Sequence, residues 1–424
     1  MDDRPEVRLG APARFDGRVE AVTETAGPRL SGGSGASGWG YNQSNLVRCG
    51  DDLYALSWRD DLTLCVFRRL SAGDWEAGPV LPPVPQNGNL LVDSSGRLHV
   101  IGGDCASWHV RFDEPGRLDR WELRRRVRAD SRFGAAIDER DRVLVAGGLP
   151  RLSWYLLDGA ADFAPAAEGE IPHSTARGYQ FVLFRDGAAH TFCSDDYFVA
   201  GDRFPDQSIT VPDPATGGTR TRRTARGIYP VLKAWYYYNP DLPGSPEDWR
   251  CTLVSDVSDT FDEDSGARGT TDHQDLFADD EGLIHLVYYE NRQPARSVWA
   301  ATDQDPARSR LYHAVGPPGG PFRAWCLGAF NSGRLYQTPD GRLHYLLTRG
   351  RRSAAESVWY SAGEPGDWGR ISEPVKLEGI GPLWHLFLNP TRAGGTRAGV
   401  IDACWTGPFG GNSNEVFYGC LTPS

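Results

Sequence analysis

Short apolar runs, turn residues and second apolar runs alternate along this chain with a spacing that no helical pattern matches. Three stretches show it most plainly: Asn89-Leu-Leu-Val-Asp-Ser-Ser-Gly96-Arg-Leu-His99-Val, Asp275-Leu-Phe-Ala-Asp-Asp-Glu-Gly282-Leu-Ile-His285-Leu and Leu335-Tyr-Gln-Thr-Pro-Asp-Gly341-Arg-Leu-His344-Tyr. Weaker copies lie at 46–57, 135–146, 181–192 and 386–404. Each reads as a β-hairpin, and hairpins recurring at roughly 45–60 residue steps mark a radial repeat. No long stretch carries apolar residues at helical spacing. The pattern therefore predicts an all-β fold, a seven-bladed β-propeller in one domain over residues 1–424, each blade nominally of four antiparallel strands. The blades are expected at about 41–81, 87–128, 132–170, 177–254, 273–325 and 331–375, with the last from 384 onward; blade 4 carries a long insertion at about 195–229. Blade 7 shows only three strands of its own. An N-terminal strand near 18–23 supplies the fourth, which closes the ring and removes free sheet edges.

Composition fits that picture. The chain holds 14 Trp, 16 Tyr and 17 Phe, with 50 Gly and 30 Pro to punctuate short strands. A net charge of −11 argues against a nucleic-acid partner, which needs a dense cationic face. The basic run Arg220-Thr-Arg222-Arg223-Thr-Ala-Arg226 reads as a solvated loop or as arginines hanging over a pocket. Eight cysteines are widely spaced without a CxxC pair, so most read as small buried hydrophobes rather than zinc ligands. No secretory segment is visible and no apolar run approaches the ~18 residues of a membrane span. The expectation is a cytoplasmic protein without a membrane partner, or a secreted one if a leader was removed. No metal or cofactor is expected beyond structural calcium at the acidic stretches 256–264 and 272–280, neither of which has an EF-hand pattern.

Blade topology narrows the search for chemistry. The first strand of a blade leaves one face and the second returns to it, so residues entering strand one share a mouth with those leaving strand two. That mouth gathers Asn87, Asn89 and His109, then Arg132, Arg177 and Tyr179, then His273 with Arg292, and finally Trp384 with His385. Arg, Asn and aromatic groups of this kind suit an anionic, hydroxyl-rich small molecule. Arg177-Gly-Tyr179 would project guanidinium and phenol together if both lay on a strand. His99, His285 and His344 recur at one repeat position and are assigned to the scaffold. His273 is expected to face the channel.

The Asp-x-Gly-Arg-Leu-His-Val hairpins resemble those of the BNR-repeat family that includes propeller polysaccharide lyases of the ulvan or rhamnosyl-glucuronate type. Thr175-Ala-Arg177-Gly-Tyr179-Gln-Phe-Val resembles that family's Arg-x-Tyr inner strand, and Gln86-Asn87-Gly-Asn89-Leu-Leu-Val-Asp its His-Asn-x-Pro strand. The resemblance implies β-elimination at a uronate-containing glycoside or oligosaccharide, with Arg177 on the carboxylate and Tyr179 as acid or base. Two family histidines are replaced, by Pro85 and Cys105 when aligned on Gly96, and a His-Pro pair gives way to Ser194-Asp195-Asp196-Tyr197. His273 and His109 are then the candidate partner bases, and Asn87, Asn89, Arg132, Arg292, Trp384 and His385 the candidate substrate-binding residues. Two alternatives stand beside the lyase. One is a sialidase-like hydrolase with carboxylates from Asp104, Asp195, Asp272 or Glu290; the other is a non-catalytic glycan-binding propeller.

Overall fold

A computed structural model describes residues 4–21, 42, 44–58, 64–70, 73–82, 88–102, 107–127, 133–148, 152–172, 179–194, 208–212, 219–223, 231–260, 268–295, 309–349, 357–377, 386–388, 391–406 and 416–423. Strand alternation dominates, and among the described residues the strands pair into seven blade sheets and one separate hairpin, antiparallel throughout except for one added strand. Blade 1 holds Leu46–Cys49, Asp52–Trp58, Leu64–Arg69 and Trp75–Val80, and blade 2 Gly88–Val92, Leu98–Gly102, Ser107–Phe112 and Trp121–Val127. Blade 3 holds Gly134–Ile137, Val143–Gly147, Ser153–Asp158 and Ala164–Glu170. Blade 4 holds Phe181–Arg185, Ala188–Ser194, Lys233–Asn239 and Arg250–Asp256, and between its second and third strands a separate hairpin pairs Ser208–Pro212 with Thr219–Arg223. Blade 5 runs through Arg268–Ala278, Ile284–Ala295, Ser309–Gly316 and Arg323–Gly328, and blade 6 through Ser332–Gln337, Leu343–Arg349, Ser357–Glu364 and Asp367–Ser372. Blade 7 takes Leu386–Leu388, Ile401–Thr406 and Val416–Pro423, and Phe15–Ala21 pairs with the last of these from Phe15↔Pro423 to Ala21↔Phe417.

The inner strands are buried on both faces because each packs between neighbouring blades, and the core divides into apolar clusters at those contacts. Polar groups interrupt this packing at a repeated place. The turn residue Asp93 accepts from His99 Nε2 at 3.1 Å, and His99 Nδ1 meets His109 Nε2 at 2.9 Å. Blade 5 repeats the arrangement with Asp279, His285 and His313 at 3.0 and 2.9 Å, and Tyr345 of blade 6 extends it by 3.1 Å to His313 Nδ1. Blades 4 and 6 answer the second-strand histidine with a tyrosine, His190 with Tyr236 and His344 with Tyr360. One tautomer pattern satisfies the blade 5 series without any charge on the rings: Tyr345 donates to His313, His313 to His285, and His285 to Asp279. Burial works against the charge of Asp93, yet bonds from His99, Ser95 and the Arg97 amide outweigh it and hold the carboxyl below its usual range.

The inner hairpin of blade 7 departs most from the expected repeat. Its first strand is short, and in the connection that follows Thr391–Ala393 form a single 3-10 turn whose side chains reach the inner strands of other blades. Arg392 Nη1 bonds Asp275 Oδ1 at 3.2 Å and the Leu276 carbonyl at 3.3 Å, both in blade 5. Its guanidinium lies 5.0 Å from the ring centre of Phe181 in blade 4, with Arg334 of blade 6 at 5.4 Å from the same ring. Gly394, at φ 76°, fits beneath Val92 of blade 2 and Ile137 of blade 3, where any Cβ would overlap the Val92 carbonyl. Thr396 bonds Arg48 and Gly50 of blade 1, and Ala398 bonds the Tyr336 hydroxyl of blade 6. One connection therefore touches the other six blades and fills the channel on the face of the hairpin turns.

Five of these buried histidines are held neutral, chiefly by desolvation: His190 is pushed down to about 3, His344 to about 4, and His99, His285 and His313 below their ordinary value. The folded state stays unprotonated where the unfolded chain, at about 6.5, takes up protons, so stability is full above pH ~6.5 and falls as pH drops below it. Stability measured by urea unfolding should fall between pH 7 and 4.5, with a slope of roughly 1.4 kcal/mol per pH unit for each imidazole that stays neutral in the fold while the unfolded chain protonates. Uptake of fewer than two protons on unfolding at pH 4.5 would contradict the burial of these rings. For the axial plug, Arg392→Met should cost about 3–5 kcal/mol by leaving Asp275 charged and buried, and the double variant with Asp275→Asn should recover much of that loss. Additive losses in the urea cycle would show that the two groups do not interact.

Candidate functional site

The face opposite the plug is where the first strands begin and the second strands end. There blades 4 and 5 meet through a cluster that the linear pattern concealed. Ser194, the last residue of its strand, places Oγ 2.9 Å from Asp272 Oδ1 and 2.8 Å from His273 Nδ1, and Asp272 Oδ1 lies 3.0 Å from the same nitrogen. His273 Nε2 donates to the Tyr179 carbonyl at 2.7 Å, which fixes a proton on Nε2 because a carbonyl can only accept. The imidazole sits edge-on between Phe181 and Phe192 of blade 4, with centroid separations of 5.7 and 5.8 Å. Its strand bulges between His273 and Asp275, so simple alternation does not aim the ring into the channel. The expectation that His273 faces the channel is corrected accordingly: both ring nitrogens are engaged, and the side chain packs on blade 4.

Tyr179 also differs from its sequence reading. The inner strand of blade 4 starts at Phe181, and Tyr179 precedes it at φ 65°, in the left-handed region. A residue of that size held there costs about 1–3 kcal/mol and persists only where surrounding contacts over-determine it. The bond from His273 to its carbonyl is one such contact. The strand geometry that would have set Arg177 and Tyr179 side by side therefore does not apply; Tyr179 is itself buried, at 1% exposure.

The remaining predicted residues divide clearly. Arg177, Asn87, Arg132, Trp384 and His385 lie outside the described residues, as do Asp104 and Asp195. His109 is on the third strand of blade 2, fully buried against His99 and Phe163, and belongs with the blade packing rather than the mouth. Asn89 is at the mouth but is structural in part, since its Oδ1 accepts from the Ser44 and Ala135 amides at 3.2 and 3.3 Å and so ties three blades. Arg292 turns aside to Asp259, 2.5 Å away. Glu290, weighed as a hydrolytic carboxylate, is enclosed by Arg4 and Ser255. All seven described histidines are buried to 3% exposure or less.

Asn89, expected at the mouth, stands there in a group of buried polar atoms at the starts of the inner strands, of which Gln180 was not foreseen. Asn42 Nδ2 crosses to the Gln180 carbonyl at 2.9 Å, joining the approach to blade 1 with the start of blade 4. Beside this bond, Ser44 Oγ, Asn89 Nδ2 and both ends of the Gln180 carboxamide are shielded from solvent without a protein hydrogen-bond partner among the described residues. Buried groups of this kind are ordinarily satisfied by water or ligand. Their signal in the sequence was faint, a scatter of Asn, Ser and Gln just ahead of apolar runs. Among the described residues, no group of three or more His, Cys, Asp or Glu side chains is arranged to hold a metal ion.

Comparison with solved structures gives the same fold. The chain is similar to a polysaccharide lyase of family PL25, an ulvan lyase bound to -[GlcA(1-4)Rha3S]-, at TM-score 0.54 and 10% identity, over 96% of this chain and 95% of that one. The polysaccharide lyase Uly1 matches at TM-score 0.55 and 9% identity over 98% of both chains. A lectin of Burkholderia pseudomallei, BP39L, matches at TM-score 0.51 and 13% identity, over 90% and 96%. No family model matches the sequence, and no curated protein does.

His273→Ala should destabilise the fold by about 2–4 kcal/mol, since it opens a space between two phenylalanines and strips partners from Ser194, Asp272 and the Tyr179 carbonyl. Ser194→Ala should cost about 1 kcal/mol. Chemical denaturation of both variants checks this; equal and negligible losses would mean that the cluster does not hold the two blades together.

Proposed function

We propose that this propeller is a carbohydrate-active lyase that takes a uronate-containing glycoside or oligosaccharide at the mouth around Tyr179 and cleaves it by β-elimination. The observation that carries the reading is the group of buried polar atoms on Ser44, Asn89 and Gln180 that have no partner among the described residues, beside Tyr179 in its left-handed conformation. A ligand dense in hydroxyls offers such atoms both donors and acceptors. The likeness in fold to lyase propellers, one of them bound to a glucuronate-containing saccharide, supports the same direction.

In this reading Arg177 pairs with the uronate carboxylate and so stabilises the charge that develops when the C5 proton is removed. The electron pair left on C5 forms the C4–C5 double bond, the C4–O bond breaks, and the departing oxygen takes up a proton. Tyr179 serves as the acid or base of that exchange: it takes the C5 proton as phenolate and returns it to the departing oxygen, so the proton balance closes on one group. His273 is assigned a different part from the one its residue type invites. It is a positioning residue, whose bond to the Tyr179 carbonyl keeps the backbone left-handed and the phenol in place. No cofactor enters the step, and an acidic saccharide is the only partner the reading requires.

A glycan-binding propeller without turnover is the second reading, favoured by the burial of every described imidazole and by the fold likeness to a lectin.

Incubation with glucuronate-containing glycans should produce the absorbance of an unsaturated uronate. Tyr179→Phe should lower turnover by about 10²-fold or more with unchanged thermal stability, and Gln180→Ala should weaken saccharide binding about tenfold. Saccharide binding that survives in Tyr179→Phe, with no unsaturated product from the unaltered protein, would establish the lectin reading instead. Absence of both binding and product would overturn the two together.

A further inference from the structure

Between the outer strand of blade 4 and the middle strands of blade 5 lies a cleft built like a receptor for one chemical group. Its floor is the pair Tyr288 and Tyr312, stacked with centroids 5.3 Å apart and planes at 19°. Its end wall is Glu290, 2% exposed, whose Oε1 is fixed by the Ser255 hydroxyl at 2.7 Å. Ser255 also meets Thr271 Oγ1 at 2.8 Å, so the carboxylate is oriented by two neighbouring blades. Into this cleft runs Arg4. Its guanidinium lies 3.7 Å from the Tyr312 ring centre, donates to the Tyr288 hydroxyl at 2.9 Å, and forks onto Glu290 at 2.7 and 2.5 Å.

The main chain on either side follows the same plan. The Pro5 carbonyl accepts from the Cys326 amide at 2.9 Å and the Val7 amide donates to the Cys326 carbonyl at 3.0 Å, along the outer edge of blade 5. Arg8, Leu9 and Gly10 then pair in parallel with Arg370, Ile371 and Ser372 on the outer edge of blade 6. An extended segment that adds to a sheet edge while one side chain fills a specific hole is a recurrent mode of peptide recognition.

We propose that this cleft is a guanidinium-binding site for an arginine carried on an extended peptide, with residues 4–10 as its resident occupant and a partner's arginine-bearing segment as the ligand that takes their place. The two sides of the contact differ in how firmly they are held. Tyr288 and Tyr312, each 1% exposed, and Glu290 are set in the strands of blade 5. Beyond Arg4 the resident segment shows exposed side chains, with Arg8 at 71% and Leu9 at 60%. Segments whose side chains are largely exposed open at low cost. A vacated cleft leaves Glu290 buried and charged, with Arg292 no nearer than 3.8 Å and itself paired to Asp259, so a replacement cation is strongly favoured. Planar stacking and a two-point fork select guanidinium over ammonium.

The test uses the full chain carrying Arg4→Ala, and in parallel Arg4→Lys, which keeps the charge but loses the fork. Both should melt lower than the unaltered protein. Millimolar agmatine should raise the melting temperature of Arg4→Ala by roughly 3–6 °C, while amylamine, an ammonium of similar length, should not. A peptide of residues 1–10 should bind Arg4→Ala at least tenfold more tightly than agmatine, and the same peptide with Arg4→Ala should not. Adding Glu290→Gln should abolish both responses. If agmatine and amylamine act alike, or the Glu290→Gln background responds equally, the cleft is not a guanidinium site. If agmatine binds but the peptide gains nothing over it, the peptide part of the proposal fails. If neither variant is destabilised and neither probe binds, the whole proposal fails.

Discussion

A charge that cannot reach water must be answered where it lies, and at the axis of this propeller that charge is the guanidinium of Arg392. Burial pulls it below its ordinary basicity while Asp275 holds it charged. Asp275 does more than neutralise it. Its two oxygens also accept the amides of Leu276 and Leu335, in blades 5 and 6, so the carboxylate is committed before the arginine arrives. The same arginine faces Phe181 of blade 4, and the loop that carries it continues under blades 2 and 3 to blade 1. Seven sheets arranged radially leave a hole wherever their inner edges cannot meet. Here the inner edges are bridged on one face by a side chain with a strict partner, which fixes blade 7 relative to the rest.

The fold was legible because its cause is local. An apolar strand, a turn and a second strand with the next blade waiting need no long-range information, and the expected blade limits match the sheets closely. The histidines at the repeat position were legible for the same reason: His99, His285 and His344 each stand six residues after a turn residue that they bond, Asp93, Asp279 and Thr338. His109 was misplaced because its partner lies across the sheet from it, and nothing in the spacing announces that a third-strand histidine answers one on the second. His273 and Tyr179 were misread through a single assumption, that strand alternation continues to the end of a strand. A bulge in one case and a left-handed residue in the other break it, and both are conformations that side-chain identity does not reveal. The plug was invisible as well. Its sequence, Thr391-Arg-Ala-Gly-Gly-Thr-Arg397, reads as an exposed turn, and only closure of the ring makes it an interior one.

At the mouth, the two kinds of order are opposed. The apolar inner strands pack on both faces, while Ser44, Asn89 and Gln180 carry buried polar atoms without a hydrogen-bond partner among the described residues. Proteins carry few such atoms, because each costs about 1–3 kcal/mol when shielded from solvent. Several together lie next to a tyrosine in an unfavourable backbone region, and it is on this concentration that the proposed saccharide site rests.

The pairing of Phe15–Ala21 with Val416–Pro423 has a consequence for the order in which the molecule can be made. A chain synthesised from its amino end produces the fourth strand of blade 7 before any blade exists and the strand it pairs with after six of them do. While the six intervening blades are made, that early strand has no sheet to join, and residues 8–10 wait for the outer edge of blade 6. Closure of the ring therefore follows the synthesis of Val416–Pro423, when Phe15–Ala21 can pair with it.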